Sequence, residues 1–346
     1  MVAPSFPLLK LPLAEVRNTL LIMTPVEILK LSFLSKKCKN VVKCLNKYKQ
    51  NVEVKIGDNI TIRTCNSYGV NCTFYNGPNW ENDNLEVRRQ LGAPRLVQCS
   101  WRDGEGGDDD HGDVKNINFN MRDWLEHLKY IFNCPELSQL LLEDNSHRFD
   151  PDRLKEVFQN CTELRVFGIN SFQFNRMILK NFLPVKRLYV APDIFEDSKI
   201  PNQLLIQNFD TLSIDFRPEA PVSLEQLTII NSKSIWLNDV MNLENIMNKF
   251  IKLWMKGSNP RLEFVLVDNS IGQTEIDLNA MMSGIQRCVI PTNRRRQYFS
   301  SGWFYREVPN EGIDFYRHDG TKAKIVVKDS YELNMFVLHD HCILWL

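Results

Sequence analysis

The sequence predicts an α+β protein. Three short helices open the chain, strands and helices then alternate in a loose repeat, and β-hairpins stand before and after that repeat. Three observations carry this prediction. The stretch from Phe6 to Leu45 shows three separate helix starts. Short apolar strands beginning at Leu137, Leu164, Val185, Phe209, Ser234 and Leu262 recur 27, 21, 24, 25 and 28 residues apart. On either side of them, residues 51–101 and 303–338 alternate apolar and polar side chains at period two, with turn residues between.

The first helix begins at Pro12, whose fixed φ suits a first helical turn, and runs to about Ile22 with Val16, Leu20 and Met23 on one face. The second starts on a capping box: Thr24 as N-cap, Pro25 as first helical residue, Glu27 as reciprocal partner. The third opens at Ser35. Cys38, Val41, Val42, Leu45 and Tyr48 follow at helical spacing, with lysines between them. Fourteen of the 24 residues from Leu11 to Leu34 are Ala, Val, Ile, Leu, Met or Phe. One buried helix face needs only about three apolar positions in seven. In the second helix Val26, Ile28, Leu29, Leu31, Phe33 and Leu34 cover nearly the whole circumference, and a helix apolar all round must be covered all round. About forty residues cannot enclose such a core alone. Either the rest of the chain or another protein covers it.

These residues resemble an F-box, aligned without a gap. Leu11-Pro12 stands at the family's Leu-Pro, Leu20 to Met23 at the end of its first helix, Pro25, Ile28, Leu29 and Leu31 along its second, and Ser35-Lys36-Lys37 at its Ser-Lys/Arg-Arg. Leu13-Ala14 replaces the usual acidic pair, Thr19 takes an apolar position, and Cys38 stands where Trp is usual. The lead-in from Phe6 to Pro12 is most similar to nematode-type F-box proteins that carry an F-box-associated type 2 region. The resemblance implies docking to a Skp-type adaptor and, through it, to a cullin. Leu11, Pro12, Val16, Leu20, Pro25, Ile28, Leu31 and Cys38 match the family's contact or core positions, and Leu11, Pro12, Leu20 and Ile28 are expected to form the interface. It further implies a substrate-recognition subunit of a Skp–cullin–F-box E3 ubiquitin ligase, with an unidentified protein substrate held by the region behind the helices. An ordinary three-helix cap on the following domain accounts for the same residues without an adaptor.

Behind the helices, Val52-Val54-Ile56, Ile60-Ile62 and Val70-Cys72-Phe74 read as strands. Gly57-Asp58-Asn59 and residues 66–69 are their turns, and a further strand runs from Arg95 to Trp101. Asp103 to Asp113 holds six acids and no Lys or Arg, which predicts a disordered Gly/Asp-rich loop. From Trp124 onward the strand-plus-helix period resembles leucine-rich repeats, although the strict leucine signature is absent, so the fold expected is a degenerate leucine-rich-repeat-like α/β solenoid. An ordinary α/β domain with irregular crossovers is the alternative. The last strands expected are Trp303–Glu307, Ile313–Arg317, Ala323–Lys328 and Leu333–Leu338. The apolar terminus Ile343–Leu346 is expected to be buried as this sheet caps the repeats. The division expected is 1–50 for adaptor docking, 51–120 strand-rich, and 121–346 for substrate.

Composition bounds the function. The 346 residues are 43% hydrophobic and 24% charged, with 42 basic and 42 acidic side chains. That is a globular balance, and zero net charge argues against a whole-protein polyanion binder. No run of eighteen apolar residues predicts a membrane span, and Lys10, Glu15 and Arg17 interrupt any signal-peptide core. Nine scattered cysteines suit reduced thiols, hence cytoplasm or nucleus.

No chemical site stands out. No two cysteines lie two to four residues apart, as thiolate zinc sites usually need. His339-Asp340-His341-Cys342 would put both histidines on one face of a strand, a partial ligand set that reads as edge-strand polar residues. Asp108-Asp109-Asp110 lacks calcium-loop spacing. Nucleophile-elbow, phosphate-loop and dinucleotide motifs are absent, so neither catalysis nor a cofactor is expected. Arg294-Arg295-Arg296 with Gln297, Tyr298 and Phe299 mixes bases and aromatics. This patch supports a second reading, a non-ligase scaffold that binds RNA or an acidic protein. A third, a cryptic hydrolase, would show only in activity screens.

Overall fold

The computed structural model describes residues 10–45, 51–65, 69–75, 91–94, 96–101, 110–114, 118–167, 171–216, 222–270, 275–286, 297–301 and 304–345. The chain forms two compact units, Met1–Pro184 and Val185–Leu346. The boundaries expected at 50 and 120 both fall inside the first.

The first unit opens with α1 (Leu13–Ile22), α2 (Pro25–Leu34) and α3 (Lys36–Cys44). Their starts follow the sequence signals. Glu27 N–H donates to Thr24 Oγ1 at 3.2 Å and Thr24 N–H donates to Glu27 Oε2 at 2.9 Å, which completes the capping box. Ser35 accepts from Cys38 N–H at 3.1 Å and caps α3. Pro12 is the N-cap residue rather than the first helical one, so α1 begins one residue later than expected.

Next come β1 (Asn51–Ile56), β2 (Ile60–Cys65), β3 (Val70–Tyr75), β4 (Leu96–Trp101) and β5 (Asp110–Val114), an antiparallel meander. Then follow α4 (Met121–Ile131), β6 (Leu137–Leu142), α5 (Pro151–Val157), β7 (Glu163–Val166) and α6 (Phe172–Phe182). The strand order is β7-β6-β1-β2-β3-β4-β5, with β1 parallel to β6 and β6 parallel to β7. The acidic stretch departs from expectation. Residues 103–109 and 66–68 lie outside the described residues, but Asp110 to Asp113 are not loop. They pair with β4, Trp101 opposite Asp110 and Val97 opposite Val114. The reason is tertiary: α2 lies over β5, and Gly112 admits it. A Cβ at Gly112 would run into the Lys30 side chain and come within 3.3 Å of Val26 Cγ1.

The second unit holds β8 (Arg187–Val190), α7 (Asn202–Leu205), β9 (Thr211–Asp215), α8 (Leu224–Ile229), β10 (Ser234–Asn238), α9 (Leu243–Met255) and β11 (Phe264–Asp268). Its sheet runs β14-β15-β16-β11-β10-β9-β8, where β14 (Ile313–Tyr316), β15 (Lys322–Lys328) and β16 (Glu332–Val337) are antiparallel and β8 to β11 parallel. Buried asparagines tie one crossover to the next. Asn259 donates to the carbonyls of Leu227 (3.0 Å) and Ile230 (2.8 Å), and Asn269 brackets both backbone groups of Val240. A separate three-stranded sheet has the order β13-β12-β17, from Phe304–Glu307, Gln297–Ser301 and Ile343–Trp345. The terminus is less buried than expected: Ile343 is half-buried and Leu344 exposed, because β17 is an edge strand. Trp303 and Leu346 lie outside the described residues. So does Arg95, and the strand expected from it begins at Leu96. Among the described residues no helix is long and apolar enough to cross a membrane.

Candidate functional site

The three N-terminal helices are closed on one side by the chain's own residues. Phe33 stacks on His127 of α4, with ring centroids 4.4 Å apart, and meets Trp124 edge-on at 5.1 Å. Ser32 donates to the Leu29 carbonyl at 2.6 Å, so its hydroxyl accepts from His127 Nε2, 2.7 Å away. On α3, Lys43 places its ammonium 4.0 Å from the centre of the Tyr130 ring, and Tyr130 donates to Asn40 at 2.9 Å. Burial, and then the nearby Lys39 charge, lower the His127 pKa to about 4.

The expected docking residues divide by accessibility. Leu11 and Leu31 are half-buried and Pro12 is exposed, whereas Val16, Leu20, Pro25, Ile28 and Cys38 are buried within the chain. Leu20 and Ile28 therefore serve as core in this structure. Among the described side chains, the most open apolar ones of the helices are two not expected at the interface, Ile22 at 85% and Leu34 at 74% exposure. Both are the last residues of their helices, where an apolar residue cannot be assigned to a face by period alone.

The F-box domain family matches residues 8–50, which contain the three N-terminal helices. A second family, described as F-box associated, matches residues 200–267, the parallel strands from β9 to β11 with their crossovers. An F-box associated domain-containing protein of Caenorhabditis elegans, sdz-33, is 24% identical over 340 residues, covering 96% of this chain and 98% of the relative. The chain is an F-box protein of the nematode type. No solved structure gives a significant match. An F-box joined to an F-box-associated region is the make-up of a substrate-recognition protein rather than of an enzyme.

In this F-box protein the basic triplet Arg294 to Arg296 lies outside the described residues. Its aromatic neighbours are already engaged: Phe299 is fully buried against Phe264 and Phe336, and Tyr298 stacks on Tyr305 with centroids 5.3 Å apart. Phe299 is thus unavailable to stack on a base. The His339–Cys342 stretch also departs from expectation. It is a 3₁₀ turn over Asp340–Cys342, not a strand, yet the two imidazoles stack 5.3 Å apart. His339 Nε2 lies 3.1 Å from the Leu262 carbonyl and His341 Nε2 lies 3.2 Å from Glu263 Oε1.

Glu263 is the member that sequence reading missed. It is one of 42 acidic residues and nothing flanking it marks it out. Only the fold carries it to the turn. Burial would raise its pKa, but hydrogen bonds from Ser301 and His341 and the Lys233 charge outweigh this and hold it below the ordinary carboxylate value. Cys342 is pushed up to about 12, by burial first and then by the Glu263 carboxylate. A thiol so far from ionising is no nucleophile as it stands.

Proposed function

We propose that this F-box protein is the substrate-recognition subunit of a Skp–cullin–F-box E3 ubiquitin ligase. The N-terminal helices dock a Skp-type adaptor and through it a cullin, and the region behind them holds a protein substrate. One observation carries the reading: the apolar surface of the helices is only half closed by this chain. Ile22 and Leu34 remain open to water, and Leu11 and Leu31 remain partly so. An apolar surface rimmed by lysines fits the core and rim of a protein interface. Leu11, Pro12 and Leu31 would touch the adaptor together with Ile22 and Leu34. Val16, Leu20, Pro25, Ile28 and Cys38 would hold the helices in the shape that presents them.

The chain then contributes proximity rather than bond-making, holding substrate near another protein's reactive group. Such work belongs in the cytoplasm or nucleus. On this reading residues 1–50 dock the adaptor, the strand-rich segment 51–120 shares a sheet with β6 and β7, and 121–346 carry the substrate surface as a degenerate solenoid. Two features support the solenoid. Consecutive strands β8 to β11 are parallel neighbours, and the buried Asn259 ties the crossover from β10 to β11 to the crossover before it.

The test is the full chain with Ile22→Glu and Leu34→Glu, co-purified with a Skp-type adaptor. Two charges buried in an apolar interface cost several kcal/mol, so adaptor recovery should fall at least a hundredfold while the thermal melt is unchanged. Full recovery of the adaptor would overturn the proposal.

A further inference from the structure

We propose that Glu263, His341 and Cys342 form a binding site for a zinc-class divalent cation in the second unit, independent of adaptor docking. One donor atom from each residue lies within 4.8 Å of the other two. The set is a carboxylate oxygen, an imidazole nitrogen and a sulfur. Sulfur and imidazole suit a borderline-soft ion and disfavour magnesium and calcium, which take oxygen ligands. Three protein ligands with one position left to solvent is the open tetrahedral arrangement.

The fold holds two of the three donors in place. Glu263 stands one residue ahead of β11, is 5% exposed, and accepts a hydrogen bond from the Ser301 hydroxyl. Cys342 is fully buried and belongs to the apolar cluster of Phe264, Phe299 and Phe336. His341 is the adjustable donor, its side chain 67% exposed and its ring backed by His339. Bonds of about 2.0–2.3 Å to a tetrahedral ion place ligands roughly 3.3–3.8 Å apart, so the set must draw in by about an ångström at its widest. A swing of the His341 ring supplies that. Ser301 and His339 hold the ligands from behind, as outer partners of metal ligands do.

The charges balance. On binding, Cys342 releases its thiol proton to solvent, and the thiolate and the Glu263 carboxylate together neutralise a doubly charged ion, with His341 neutral. Lys233 is the opposing cation, its Nζ 3.8 Å from Glu263. It is part-exposed and also 3.7 Å from Asp210, which can retain it when the ion enters.

The test uses purified, chelator-treated full chain titrated with Co²⁺ and competed with Zn²⁺. One Co²⁺ should bind per chain with a near-ultraviolet thiolate-to-cobalt band, release one proton, and be displaced by Zn²⁺. Cys342→Ser should abolish the band. His341→Ala, an exposed change that spares the core, should weaken binding at least about tenfold. The site is refuted if the wild-type chain binds no stoichiometric ion, if the band persists in Cys342→Ser, or if His341→Ala binds as tightly as wild type.

Discussion

His127 shows how one residue ties the F-box helices to the chain behind them. Its ring is buried, stacked on Phe33, and hydrogen-bonded through Nε2 to Ser32. Ser32 gives its proton to Leu29, so the neutral imidazole is the donor, and Nδ1 has no hydrogen-bond partner among the described residues. A protonated ring would carry an unsolvated charge. In the unfolded chain the imidazole takes up its proton near 6.5, in the folded chain only near 4. Between those values the unfolded state binds more protons, so stability is full above pH 6.5 and falls as pH drops toward 4. The expected loss is on the order of 2–3 kcal/mol across that interval. Urea melts at pH 7.5 and pH 5 should show it in the wild-type chain and much less of it in His127→Gln. Equal pH dependence in the two would contradict the assignment. None of this was legible in the sequence. Ser32 and His127 are 95 positions apart, and neither sits in a motif.

At the scale of the element, α2 is the hinge between local and tertiary control. Its boundaries were legible because capping is local chemistry: Thr24, Pro25 and Glu27 lie within one turn. Its surroundings were not, because an apolar circumference tells how much must be covered and not by what. The structure divides that surface among α3, β4, β5 and α4 on the closed side and solvent on the other. Phe33 is the main anchor of the closed side, with Phe119, Trp124 and His127 around it. Phe33→Ala should destabilise the first unit by about 2–3 kcal/mol, below the full core value because Phe33 is only half-buried. Denaturant melts followed by tryptophan fluorescence would report it, and a variant as stable as wild type would mean that α2 is held elsewhere. The strand β5 makes the complementary point. Its acidic composition argues for disorder, but a strand needs a partner more than a propensity, and β4 and Gly112 under α2 provide the partner and the room.

At the scale of the whole molecule, the F-box helices are part of the first unit and not a detachable tag. Deleting residues 1–45 would strip the cover from β4, β5 and α4, open Trp124 to water and expose Phe119 further. The truncated chain should lose the cooperative melting transition of its first unit or precipitate. A truncated chain that melts like the full one would show that the helices add no stability. The run of repeat strands was legible along the chain, whereas β5 and β12 were not. All six repeat strands from Leu137 to Leu266 lie within two residues of where spacing put them, as do the C-terminal hairpins. Spacing works there because each strand is short, apolar and bounded by its own turn residues.

By itself the sequence determined the three opening helices, the run of strands and the kinship with F-box proteins, all of which rest on residues near one another along the chain. Only the tertiary structure decided which side of the helices is closed, that Leu20 and Ile28 are core while Ile22 and Leu34 face water, and that Glu263 meets a turn 78 positions later. The physical reason is one of range. Backbone capping and side-chain period act over a few residues, whereas burial and the meeting of donor atoms depend on which distant segments the sheets bring together.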